Sequence, residues 1–147
     1  MTAIFPSGFF PNTVQKTAVL TGGAGTGDVG TFALFTVTGG VAIRLVCICT
    51  ETLVGAATLE IGIAGTTTAF MAQVANATTI AAGDIYHDAT VDAASELWSV
   101  SAVTAERILG NGQDIFATIG AANITDGTLV FTAFWMPLTP GASVVAA

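Results

Sequence analysis

Short β-type segments separated by glycine-containing turns recur along most of this chain, and this recurrence constrains the fold more than any other feature. From Val14 onward, segments rich in Val, Ile, Phe and Thr return roughly every eight to fifteen residues. The clearest are residues 29–37 and 41–50, which flank Gly39 and Gly40. Two such segments around a Gly-Gly pair predict a β-hairpin. The pattern as a whole predicts an all-β, single-domain, antiparallel β-barrel or β-sandwich.

Alternation within these segments predicts which side chains face the core. Along residues 41–50, Arg44 lies on one face beside Ala42, Val46 and Ile48. The other face is apolar throughout and is therefore expected to point inward; it comprises Val41, Ile43, Leu45, Cys47 and Cys49. Residues 57–63 repeat the alternation, with Leu59 and Ile61 inward and Glu60 outward.

Weaker strand patterns follow at residues 68–74 and 78–86. Residues 92–109 fit either a helix capped by Asp92 or extended structure, and their Ser, Thr and Val content favours a strand. The turn at residues 110–112, G-N-G, predicts a second hairpin between E-R-I-L and the strand-like residues 114–120.

The two ends of the chain differ from its middle. Residues 1–13 contain Pro6, Gly8 and Pro11, which suit neither a helix nor a central strand. A flexible leader is one interpretation. The favoured one is an extended N-terminal arm that docks its phenylalanines, Phe5, Phe9 and Phe10, on a neighbouring subunit, because three phenylalanines in a flexible leader would reduce solubility. The β-domain is expected to span residues 14–138, with residues 139–147 as a C-terminal tail.

The last long segment, residues 129–136, has two apolar faces. In a strand, Phe131 and Trp135 share one face, whereas Phe134 and Met136 share the other. A small protein usually leaves one face of a sheet in water, so the second face must meet another sheet or another molecule. We predict that Phe134 and Met136 are buried between identical subunits, three in number.

The composition supports an embedded subunit. Charged residues make up 9% of the 147-residue chain and hydrophobic residues 52%, against a usual charged share of about 25%. The longest uncharged stretch, residues 61–83, contains too many threonines and amides to span a membrane. The net charge is −7, with three lysines and arginines in all, which argues against nucleic-acid binding.

Candidate chemical groups are few. Cys47 and Cys49 form a C-x-C pair on one strand face, and they are predicted to be buried free thiols, because neighbouring positions on one face would strain a disulfide. Asp84, His87 and Asp88 could form a metal site or an acid–base pair, but His87 is the only histidine in the chain. A solvated loop in which Asp caps a turn is the favoured interpretation. No enzyme activity, metal or cofactor is predicted.

Two stretches resemble small virion proteins of tailed bacteriophages: G-D-V-G-T-F-A-L-F-T-V-T-G-G-V-A-I-R-L at residues 27–45, and the sequence from Asn111 to Leu138. Some of those proteins are head decoration or cement proteins. The resemblance implies a small β-barrel or β-sandwich, often a trimer, made in the host cytoplasm. It would be seated on the capsid surface where major capsid protein subunits meet.

Two other functions are compatible with the sequence. A tail, neck or fibre component would have a similar composition, although fibres usually contain repeats, and none is visible here. A carbohydrate-binding β-sandwich would need exposed aromatics beside carboxylates, for which Trp98 near Glu96 is the candidate. Burial of Trp98 in the core is the favoured alternative to a sugar site.

Overall fold

The computed structural model describes residues 12–23, 26–87, 91–92 and 106–147, with the backbone alone described at residues 91–92. The described residues contain strands and one short 3₁₀ helix, Ala77–Thr79, which confirms the all-β fold class. The strands in chain order are β1 (Asn12–Val19), β2 (Gly30–Thr38), β3 (Val41–Val54), β4 (Thr58–Ile63), β5 (Thr66–Val74), β6 (Ile85–Tyr86), β7 (Val91–Asp92), β8 (Arg107–Leu109), β9 (Ile115–Gly120), β10 (Asp126–Pro137) and β11 (Ser143–Ala146).

The strands form two antiparallel sheets. Sheet A has the order β1-β10-β3-β6-β7, and β8 also pairs with β3. Sheet B has the order β11-β2-β9-β4-β5. Buried side chains of both sheets belong to one hydrophobic cluster, so the sheets pack face to face as a β-sandwich.

The core consists of the side chains that alternation predicted to point inward. Val41, Ile43, Leu45, Cys47 and Cys49 of β3 are all buried, as are Leu129, Phe131 and Ala133 of β10. Sheet B contributes buried side chains from β2, β4 and β9, among them Phe35, Leu59, Ile61 and Ile115. Since the side-chain period of a strand is two, one register fits all of these positions to the core at once.

A buried tyrosine links the two sheets across this core. Tyr86, on β6 of sheet A, has no exposed surface. Its hydroxyl lies 2.8 Å from the carbonyl oxygen of Leu59 and 2.9 Å from that of Ala72, both in sheet B. The hydroxyl has one hydrogen, which either carbonyl oxygen can accept, so this donor has a partner inside an apolar interior.

Both predicted hairpins are wrong in their pairing, although their strands exist. β2 lies in sheet B and β3 in sheet A, so Gly39 and Gly40 carry the chain from one sheet to the other. The turn is held by side chains instead of a hairpin ladder: Gly39 N–H donates to Asn111 Oδ1 and Gly40 N–H to Thr139 Oγ1, each at 2.9 Å. The turn at residues 110–112 likewise joins β8 in sheet A to β9 in sheet B.

The start of β10 and residues 78–86 both depart from regular strand. Asp126 and Gly127 begin β10, and the register between β10 and β3 shifts there, as in a β-bulge. Gly127 has φ +119, and a Cβ at this position would lie 2.5 Å from Leu53 Cδ2, so a larger residue would be strained. Part of residues 78–86 is not strand, because the 3₁₀ helix ends at Thr79 and β6 begins at Ile85.

The boundaries of the β-domain also extend further than predicted. β1 begins at Asn12, inside the predicted arm, while residues 1–11 lie outside the described residues. The predicted tail contains β11, which pairs with β2 and buries Val144. Most of residues 92–109 also lie outside the described residues, with strand at Asp92 and at residues 107–109.

We predict that Val144 and Val145 contribute very differently to stability, although they are neighbours. Val144 is 4% exposed and Val145 is 51% exposed. Val144→Ala removes buried carbon atoms and should lower the free energy of unfolding by about 1–2 kcal/mol. Val145→Ala should change it by less than about 0.5 kcal/mol. Urea unfolding of the two variants measures the difference, and equal effects would show that β11 is not docked in solution.

Candidate functional site

The outer face of sheet A is the main candidate for a functional surface. Sheet B packs against the opposite face, so it does not cover the outward-pointing side chains of β3 and β10. Phe134 and Met136, predicted as interface residues, both lie on this outer face and are half-buried. The other predicted interface residues, Phe5, Phe9 and Phe10, lie outside the described residues.

An open groove with a volume of about 530 Å³ runs along this face. We call it the sheet A groove; its lining comprises Gln15 of β1, Arg44, Val46, Ile48 and Thr50 of β3, and Val130, Thr132 and Phe134 of β10. Strand register places these residues in rows, with Phe134 opposite Arg44, Thr132 opposite Val46 and Val130 opposite Ile48. The groove surface is therefore mainly aliphatic and aromatic.

Arg44 is the one charged residue that lines the groove. Its guanidinium carbon lies 5.1 Å from the centre of the Phe134 ring, within the range of a cation–π interaction. This contact places the Phe134 ring against the Arg44 side chain of β3. The groove thus presents an aromatic ring beside a cation at one end and aliphatic side chains at the other.

Exposed apolar side chains continue beyond the groove on the same face. Inside the groove Ile48 is 43% exposed, and outside it Val19 of β1 is 52% exposed and Ile108 of β8 77%. Val19 points to the same side of β1 as Gln15, and Ile108 pairs with Ala42 of β3. Exposed apolar patches often mark interaction sites in soluble proteins, so the groove makes this face the candidate interaction surface.

The outer face of sheet B is more polar. Its groove has a smaller volume, about 290 Å³, and threonines at positions 31, 67 and 118 line it together with Phe116. Glu60 lies on this face, as predicted, where its carboxylate accepts a hydrogen bond of 2.9 Å from Gln73. The two grooves therefore differ in degree: the one on sheet A is larger and has the smaller polar share.

Sequence reasoning found part of the sheet A groove. It placed Val46 and Ile48 on the face of Arg44, and Phe134 on the outer face of the last long strand. It did not join these two sets, since no sequence signal showed that β3 and β10 are neighbours. It also missed Gln15, because the partner of β1 was unknown.

Cys47 and Cys49 are buried free thiols, as predicted. Burial raises the pKa of Cys47 well above its ordinary value. Burial also raises the pKa of Cys49, to about 11, and the nearby Asp84 carboxylate acts in the same direction. Both sulfurs are therefore neutral thiols that pack as small apolar groups, and neither is poised as a nucleophile.

The predicted polar cluster is not assembled into a site by the described residues. Asp84 accepts a hydrogen bond of 2.8 Å from the backbone N–H of Ala81, which is the turn-capping role expected of it. The expectation that His87 lies in a solvated loop is wrong, because it is 6% exposed. Asp88 lies outside the described residues, as do Glu96 and Trp98 of the candidate sugar site. Within the described ranges, no three His, Cys, Asp or Glu residues come close enough to hold a metal ion.

Comparison of the chain with models of protein families, with curated proteins and with solved structures finds no match. Among the residues that the structure describes, no helix has the length and apolar character needed to cross a membrane. The candidate site is accordingly defined by its own geometry.

We predict that neither cysteine reacts with a thiol reagent in the folded protein at mildly alkaline pH, and that both react after denaturation. Raised pKa values in the folded state mean that the thiols contribute stability below the ordinary pKa of 9.0 and lose it as the pH rises toward about 11. Thermal unfolding across this window should show a falling melting temperature. Fast labelling of the folded protein would contradict the buried positions of the thiols.

Proposed function

We propose that this chain is a structural protein of a virion and that it acts as a decoration or cement protein on the outer surface of a tailed-phage head. The observation that carries the proposal is the apolar outer face of sheet A, with its groove and its exposed Ile48 and Ile108. Such a face suits permanent burial against protein. The proposed partners are identical subunits, most simply in a trimer, and the major capsid protein.

The low charge of the chain supports a subunit that is largely covered in its working state. Each of its three cations makes an internal contact: Lys16 Nζ donates to the carbonyl oxygen of Ala147, Arg107 Nε donates to that of Ala69, and Arg44 lies over Phe134. These side chains contribute to the cohesion of the sandwich. A rigid sandwich with one apolar face is well suited to clamp neighbouring capsid subunits together.

The resemblance of residues 27–45 and 111–138 to small phage virion proteins also supports this function. These stretches include β2, the first residues of β3, and all of β9 and β10. They therefore include part of the groove, with Arg44 at one side and Val130 to Phe134 at the other. A structural role, without catalysis or a cofactor, agrees with neutral buried thiols and a turn-capping Asp84.

Burial of the groove would contribute favourable free energy to association. Full burial of a side chain the size of Phe, Met or Ile contributes roughly 1.5–3 kcal/mol. In the single chain, part of the surface of Phe134, Met136 and Ile48 is still exposed. Burial of that remaining surface would contribute further free energy. Several such contacts in each of three equivalent interfaces would act against the entropic cost of association.

Substitution on the outer face of sheet A should abolish assembly without unfolding the chain. Ile48→Asp places a charge at a position that is 43% exposed, so the monomer tolerates it, while a buried interface does not. Val145→Asp, at a position that is 51% exposed on β11, is the matched control. Analytical ultracentrifugation should find Ile48→Asp monomeric and Val145→Asp in the parental oligomer. A parent protein that is already monomeric at micromolar concentration would contradict the oligomer.

Cryo-electron microscopy of the intact particle tests the role itself. We expect density that fits the sandwich on the outer surface of the head, where capsid subunits meet, with the outer face of sheet A buried. Density in the tail or neck would favour the alternative, a tail component. Absence of the chain from the purified particle would overturn a virion role.

A further inference from the structure

We propose that the sheet A groove of one molecule receives residues 1–11 of a second copy of this chain, so that neighbouring subunits exchange their N-terminal segments. This inference rests on the proposed assembly role of the outer face of sheet A. It adds the identity of the segment that fills the groove.

The segment is attached beside the groove. β1 begins at Asn12, which pairs with Trp135, and the next residue, Thr13, pairs with the groove residue Phe134. Gln15 of the same strand itself lines the groove. Residues 1–11 therefore leave the sandwich at the edge strand, next to the Phe134 end of the groove.

The direction of β1 points this segment toward another molecule. From Val19 back to Asn12, β1 runs from Thr128 toward Trp135, and the groove extends the opposite way, from Phe134 toward Val130. To enter its own groove, the chain would have to reverse completely before Asn12. Phe10 precedes Pro11, and a residue before proline favours extended backbone. In the proposed exchange, a continuation along the direction of β1 would lead away from the molecule's own groove and toward a neighbouring subunit.

The chemistry of the segment matches the groove. Residues 1–11 contain no Asp, Glu, Lys or Arg, and they include three phenylalanines. In extended backbone Phe5 and Phe9 lie on the same face, four positions apart. Val130 and Phe134 are also four positions apart along β10, a span of about 13 Å at roughly 3.3 Å per residue. Two phenylalanine side chains can thus occupy the two ends of one groove.

The backbone of the segment also suits a groove better than a sheet edge. Pro6 and Pro11 lack N–H donors and would interrupt a strand ladder. An extended segment outside a strand ladder can still present alternate side chains to an apolar surface. Gly8, between Ser7 and Phe9, allows the backbone to approach the groove closely.

Exchange of this kind produces a closed assembly. Each subunit contributes one segment and accepts another, so the contact is heterologous. Heterologous contacts close into a ring when the rotation between subunits allows it, and a three-membered ring is the simplest that agrees with the proposed trimer. Each groove in the ring then holds residues 1–11 of the neighbouring subunit.

Disulfide trapping between two differently marked proteins tests the exchange. One protein carries Phe9→Cys and an affinity tag; the other carries Ile48→Cys and no tag. The native cysteines are buried in the core, so the parent protein serves as the control for background cross-linking. After mixing, subunit exchange and mild oxidation, we expect a tagged–untagged disulfide-linked species of twice the mass of one chain. Phe9→Cys mixed with Val145→Cys, on sheet B, should give none.

A doubly substituted protein distinguishes a segment from the same chain from a segment of a second copy. This protein carries Phe9→Cys and Ile48→Cys and is diluted before oxidation. A cross-link within one chain would show that each groove holds its own segment and would overturn the exchange. Absence of any cross-link between positions 9 and 48, with the parental oligomer intact, would show that something else fills the groove and would overturn it as well.

Deletion of residues 1–11 distinguishes failure of this inference from failure of the proposed function. If the exchange is correct, the truncated protein keeps the parental far-ultraviolet circular dichroism and sediments as a monomer. A truncated protein that still assembles, while Ile48→Asp remains monomeric, would overturn the exchange alone. An intact parent protein that does not assemble and is absent from the particle would overturn the proposed function.

Discussion

Packing of the two inner sheet faces against one another is the interaction on which the rest of the structure depends. β3 and β10, the two longest strands, lie side by side in sheet A and each supplies an unbroken row of buried side chains. Sheet B supplies the facing rows. In a two-layer sandwich each sheet buries one face on the other sheet. The outer faces therefore contact water or other molecules.

The chain builds both sheets by crossing repeatedly from one to the other. β1, β3 and β10 of sheet A are each followed along the chain by a strand of sheet B. Long-range contacts therefore assemble both sheets, and the turns at the ends of the sandwich must be held by their own polar contacts. Asn111 and Thr139 hold the turn at Gly39 and Gly40, while the Tyr86 hydroxyl holds the layers together inside. These hydrogen bonds connect the two layers at one end of the sandwich and inside it.

The proposed function rests on the outer face of sheet A. Val46, Ile48 and Val130 have no role in the core, yet they are aliphatic, and Phe134 beside them is ordered by Arg44. Apolar side chains on the outside of a soluble sandwich reduce its solubility, and a face of this kind is retained where another surface covers it. The polar outer face of sheet B would remain in water in such an assembly. In the proposed assembly, this difference between the two faces would orient the subunit.

Local periodicity in the sequence determined the fold class, the inward faces of β3, β4 and β10, and the free state of Cys47 and Cys49, because alternation and β-propensity act over a few residues. It also indicated that Phe134 and Met136 lie on a second apolar face.

Tertiary structure alone decided the strand partners, since a Gly-Gly turn permits both a hairpin and a crossing between sheets. The choice depends on which distant strand completes the ladder. The pairing of β3 with β10 and of β10 with β1 brought Gln15, Arg44, Ile48 and Phe134 together into one groove. The groove depends on contacts between residues more than eighty positions apart in places, a separation over which local patterns carry no information.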